Sequence, residues 1–164
     1  MRRINLPDQP ADITREIEIN LAGPIRMTQQ FLPHLAKQPA AAIINVSSGL
    51  ALVPFPLSPI YGATKSGLHS YTQSLRTQLK KTRVKVIELV APGAKTPLND
   101  KFATDVDPKS LMSVEKLVTA AIKGIQADQK EIYPGLAQVI KILSRVAPKL
   151  LAGQMAKIAE KALA

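Results

Sequence analysis

The sequence predicts an α/β fold, a parallel sheet with flanking helices, and three observations carry that expectation. Two short runs, "AAIINVSSG" from Ala41 and "VKVIELV" over 84–90, are largely apolar and β-branched, the pattern of strands buried on both faces. Each leads into small polar residues or into Pro and Gly, as strands do where they enter loops. Between them lies a stretch of helical periodicity, so the order is strand, loop, helix, strand, the grammar of a βαβ unit.

From Asp12 to Lys37 the apolar residues Ile13, Ile17, Leu21, Ile25, Phe31, Leu32 and Leu35 recur near a helical period, with Asp12 as the expected N-cap. Pro24 falls inside this helix, where it removes a backbone donor and leaves the carbonyl of Asn20 without its partner. A kink is expected there, with the Asn20 side chain and the freed carbonyl able to seat an ordered water. After the first strand the loop "GLALVPFPLSP" is apolar and proline-rich, and Ser58 followed by Pro59 predicts a capped helix start. That helix is expected to reach Lys81, with Leu68, Tyr71, Leu75 and Leu79 on one face. The second strand runs into "APGAKTP", and a polar loop to Ser110 precedes a helix from Ser113 to Gln126. "KEIYPG" (130–135) predicts one more short strand. The tail from Leu136 is amphipathic and basic, with Lys141, Arg145 and Lys149 at four-residue intervals, and Pro148 divides it into two helices. No repeat, low-complexity stretch or interior linker is present, so a single domain over 1–164 is expected.

Composition narrows the function classes. Hydrophobic residues make up 46% of the chain and mean hydropathy is +0.04, as in soluble globular proteins. No apolar run reaches the roughly 20 residues that cross a bilayer. The N-terminus has two arginines but no apolar segment of a secretory signal. The absence of cysteine excludes disulfides, thiolate nucleophiles and Cys-based zinc sites, and suits a cytoplasmic protein. His34 and His69 lie far apart, make no metal-ligand pattern and are expected as ordinary helix-surface residues. Net charge is +10, which raises the question of an anionic partner. The basic residues are spread along helices without aromatic interleaving, which argues against nucleic acid; a phosphate-bearing cofactor accounts for part of the charge more simply.

One constellation carries chemistry. Ser47 and Ser48 fall at the C-terminal end of the first strand, with Asn45 just inside, and that edge is where open α/β sheets bind ligands. Tyr61 and Lys65 follow on the next helix, four positions apart and therefore on one face. A tyrosine ordinarily titrates near 10, and an ammonium close by lowers that value. The pair is then a tunable acid/base, which interconversion of an alcohol and a carbonyl requires at the oxygen. Ser48, 13 residues before Tyr61, can hold the same oxygen by a hydrogen bond.

The ordered set "NLAG", "NVSSG", "YGATKSG" and "PGAKT" resembles the C-terminal part of a short-chain dehydrogenase/reductase, strongly over residues 12–100 and loosely beyond. The resemblance implies an incomplete Rossmann-like, doubly wound parallel sheet and an NAD(P)-dependent oxidoreductase acting on a small-molecule alcohol or carbonyl. It implies Tyr61 as acid/base, Lys65 lowering its pKa and binding the nicotinamide ribose, Ser48 orienting the substrate and Asn20 holding a relay water. It also implies that Pro92, Gly93 and Thr96 contact the nicotinamide end of NAD or NADP. The segment from Pro97 to about Ser110 corresponds to a mobile substrate lid, and helices 12–37 and 59–81 to a homo-oligomer interface. The apolar "LVPFPL" suggests a substrate with apolar surface.

The sequence departs from the family in one respect. Its eight glycines are scattered and form no Gly-x-x-x-Gly-x-Gly turn, so the pyrophosphate cradle and the first strands of the sheet are expected to be missing. A chain beginning just before the Asn20 helix is expected to be marginal alone, and the alternative reading is an inactive fragment serving as a binding or assembly module. The basic tail over 136–163 admits membrane-surface association, with packing on the sheet or a partner subunit as the favoured competitor.

Overall fold

The computed structural model of the chain describes residues 10–96 and 110–163. Three strands, β1 (Ala41–Ser48), β2 (Val84–Ala91) and β3 (Glu131–Ile132), form one parallel sheet in the order β1-β2-β3. β1 and β2 run matched from Ala41 opposite Val84 to Ser48 opposite Ala91, so both strands deliver their C-terminal ends to the same edge. β3 pairs over two residues only, less than its sequence suggests, because Pro134 follows and supplies no donor.

The first helical region is built in pieces. α1 (Pro10–Ile17) and α2 (Gly23–Leu35) are joined by a π turn over Glu18–Ala22, in which the Gly23 N–H reaches back five residues to the Glu18 carbonyl. The sequence predicts a kink at Pro24; the chain has a π turn immediately before it, which widens the ladder by one residue, and Pro24 stands in the first turn of α2. Asp12 is not the cap, since α1 already begins at Pro10. α3 (Pro59–Gln78) starts where predicted, but Ser58 caps it without a side-chain bond; its carbonyl accepts from the Gly62 N–H.

α4 (Val114–Gln126) is capped by the Ser113 hydroxyl, which accepts from the Lys116 N–H. α5 (Leu136–Val146) and α6 (Pro148–Leu163) divide at Pro148 as the sequence requires. The two faces of β2 have different partners. Ile87 and Leu89 pack with Ile132 against Leu117, Ala121 and Ile125 of α4, while Glu88, pointing the other way, meets α3. Helices thus lie on both faces of the sheet, the doubly wound arrangement of a Rossmann-like fold.

Candidate active site

β1 ends at Ser48, and the chain leaves it through a single 3-10 turn, Gly49–Ala51. The Ser48 Oγ accepts from the Leu50 N–H at 3.2 Å, which fixes the side chain at the strand end. The phenol of Tyr61, on the first turn of α3, lies near enough for the Ser48 hydroxyl to draw its pKa down. That turn is held by the Thr64 hydroxyl on the Tyr61 carbonyl at 2.8 Å, and α3 is tied to the loop by Ser66 on the Ala51 carbonyl at 2.9 Å.

One turn on, the Lys65 Nζ donates to the Val46 carbonyl at 3.1 Å and stands 5.6 Å from the centre of the Tyr61 ring. An ammonium has three donors, so two remain after the bond to Val46. Asn20 sits on the π turn and shares with Lys65 a groove of about 400 Å³, lined also by Pro24, Thr28, Asn45 and Val46. The close approach of π turn and α3 depends on Gly67, where a Cβ would stand 3.1 Å from the Leu21 Cδ2. Asn45 itself is a structural lock: it is buried and its amide donates to the Thr72 hydroxyl at 2.9 Å.

Beyond β2, Pro92 is buried and Gly93 exposed. The segment is clamped: the Gly93 carbonyl accepts from the Met112 N–H and the Lys95 N–H donates to the Met112 carbonyl, each at 2.9 Å. Thr96, half-buried, reaches the Ala94 carbonyl at 3.5 Å. The structure therefore sets Ser48, Tyr61 and Lys65 together at one strand end, brings Asn20 to the same groove as Lys65, and sets Pro92–Thr96 on the neighbouring strand end. Most of the lid segment suggested by the sequence lies outside the described residues.

The electrostatics differ from the sequence-based expectation. Burial pushes the Tyr61 phenol above its ordinary value; the Ser48 hydroxyl pulls it down and the Glu16 carboxylate adds to the rise. Burial also lowers the Lys65 ammonium. Lys65 spends its bond on the Val46 carbonyl rather than on the phenol oxygen, and burial is the largest influence on Tyr61.

Sequence reasoning passed over a neighbouring cluster. His69 is not an ordinary surface residue: its Nδ1 lies 2.9 Å from both oxygens of Glu88, which is fully buried and accepts a bond from Ser47. The signal was there, since a carboxylate inside "VKVIELV" breaks an otherwise apolar core strand, and His69 follows Lys65 by four residues on the same helix.

Residues 5–107 match the family model described as short chain dehydrogenase. An uncharacterized oxidoreductase of Bacillus subtilis (strain 168), DltE, is 42% identical over 121 residues, 71% of this chain and 47% of that protein. A short-chain dehydrogenase from Burkholderia cenocepacia J2315, solved in complex with NADP, superposes with a TM-score of 0.82 at 27% identity, covering 94% of this chain and 65% of that one. A 3-ketoacyl-(acyl-carrier-protein) reductase from Brucella melitensis, complexed with NADH, gives 0.65 at 28% identity, covering 76% and 56%. The chain spans about half the length of the bacterial oxidoreductases it matches, 47% of DltE and 45% of an uncharacterized oxidoreductase of Staphylococcus epidermidis.

Proposed function

The chain belongs to the short-chain dehydrogenase family, and on that premise we propose that it interconverts an alcohol and a carbonyl with NAD or NADP, using Tyr61 as the acid/base. The observation that carries this reading is the half-buried Tyr61 beside Ser48 at the strand end, with the Lys65 ammonium 5.6 Å from its ring. The two uncommitted donors of Lys65, at the Asn20 groove, suit the ribose of the cofactor. The nicotinamide portion, when bound, supplies hydride exchange with the substrate carbon. In the reducing direction Tyr61 gives its proton to the substrate oxygen while the Ser48 hydroxyl orients that oxygen. Asn20, at a groove shared with Lys65, holds the water that returns a proton through Lys65. The apolar loop over 50–57 fits a carbonyl compound with an apolar body, in keeping with the acyl substrate named for the Brucella reductase. A cytoplasmic homo-oligomer associating through α1–α2 and α3 completes the proposal; exposed Met27 and Phe31 on α2 are consistent with a covered face.

The test is a screen of NAD(P)H-dependent reduction over apolar ketones with the wild type and Tyr61→Phe. The variant is expected to lose about 10²–10⁴-fold in kcat while keeping the fold, since it removes only the proton donor. Turnover that survives Tyr61→Phe refutes the assignment.

A further inference from the structure

One charged group in the interior has no part in the chemistry proposed above. Glu88, on β2, is 0% exposed. It accepts from the Ser47 hydroxyl, and its two oxygens share the His69 Nδ1 at 2.9 Å. Ser47 immediately precedes Ser48; His69 lies one turn beyond Lys65; Glu88 itself stands four residues before Pro92. A single carboxylate therefore ties together β1, α3 and β2, the three elements that carry the site. Stripping a carboxylate of water is costly, and apolar residues of similar volume would hold the same elements together at least as well. What they would lack is direction: hydrogen bonds fix an orientation that apolar contact leaves free.

We propose that Glu88 is a positioning residue, which through Ser47 and His69 holds the end of β1 and the first half of α3 in the relation that sets Ser48 against Tyr61. Only the consequence for turnover rests on the oxidoreductase reading. The groups facing His69 are Glu88 from β2, Glu131 from β3, and Arg76 and Gln73 from its own helix. The bond to Glu88 is the main influence raising the imidazole above its ordinary value; Glu131 adds to it, while burial and Arg76 oppose it. The Nε2 meets the Gln73 amide at 3.0 Å, and that amide can present either its nitrogen or its oxygen, so both protonation states find a partner. Loss of the imidazolium proton weakens the bond between His69 and the Glu88 carboxyl, and the strand end is then held less firmly.

With two histidines and three tyrosines in the chain, the ring signals of His69 and Tyr61 are assigned by NMR using His34→Gln and Tyr61→Phe. His69 is expected to titrate above its ordinary 6.5, and the Tyr61 ring signals to shift with the same midpoint. In Glu88→Gln the His69 midpoint should fall and Tyr61 should no longer follow it. A His69 midpoint that Glu88→Gln leaves unmoved overturns the pairing; Tyr61 signals indifferent to His69 overturn the positioning role, whether or not the protein turns over. In a turnover assay Glu88→Gln should lower kcat about tenfold with KM within about twofold, as misplacement of reacting groups does. Wild-type kcat in that variant also overturns the proposal, whereas a wild type inert toward every carbonyl, with Tyr61 still tracking His69, counts against the oxidoreductase reading alone. If Glu88→Gln does not fold, His69→Gln serves in its place: the Tyr61 signals should then stay constant from pH 5 to 9, and a persisting shift refutes the coupling.

Discussion

Tyr61 is held between opposing influences, burial and the Glu16 carboxylate raising its phenol and the nearby Ser48 hydroxyl lowering it, with burial the largest. A raised phenol keeps its proton through neutral pH and gives it up only in alkali. Carbonyl reduction, which needs the protonated form, is therefore expected to run at a flat rate across neutral pH and fall above the raised value. Alcohol oxidation, which needs the phenolate, should climb steadily toward alkaline pH. Initial rates in both directions from pH 6 to 11 check this, and an oxidation rate that plateaus by pH 7 contradicts it. The spacing of Tyr61 and Lys65 was legible because residues four apart share a helix face whatever surrounds them. The direction of the phenol's shift was not, since it depends on how deeply α3 sits against the strand end. The bond from His69 to Glu88 was hidden for a related reason: 19 residues separate them, and only the packing of α3 on β2 brings them together.

The strands, the helix boundaries near Ser58, Ser113 and Pro148, and the order of elements were readable from local chemistry, because proline and capping residues act within a turn. The π turn was not. Pro24 announces a break in the ladder but not its form, a wider turn in which Leu21 closely approaches Gly67 of α3. A similar close contact sits at Gly124, the buried glycine of α4, where an added Cβ would stand 2.6 Å from both Cγ1 and Cδ1 of Ile132. Alanine ordinarily improves a helix by about 1 kcal/mol over glycine. Here overpacking should reverse the sign, and Gly124→Ala is expected to destabilise by about 1–2 kcal/mol in chemical denaturation. A double-mutant cycle with Ile132→Val should show the two changes coupled, because the valine gives up one of the clashing carbons. Additive effects would mean that the helix simply shifts away from β3.

At the scale of the molecule, β1 is an edge strand among the described residues, and its outward face carries Ile44 and Val46, 44% and 48% exposed. Parallel sheets are ordinarily covered on both faces, so this surface is suited to contact with further protein. Self-association is expected to rise with salt, which screens the net charge of +10, and to weaken in Ile44→Lys with little change in thermal stability. Sedimentation velocity at two ionic strengths decides the matter; salt-independent monomers of the wild type would rule it out. The fold class was legible from three short segments, and an open sheet edge was expected from the missing first strands; that β1 forms it follows from the sheet order, which no single segment encodes. The matched pairing of β1 with β2 has one further effect, on how the chain finds its native state. Sliding β2 by a single residue would invert its faces, pressing Glu88 into the aliphatic cluster of α4 and turning Ile87 and Leu89 toward His69. A parallel pair of aliphatic strands has little to choose between neighbouring alignments, and here the buried Glu88 carboxyl makes a slip by one residue expensive.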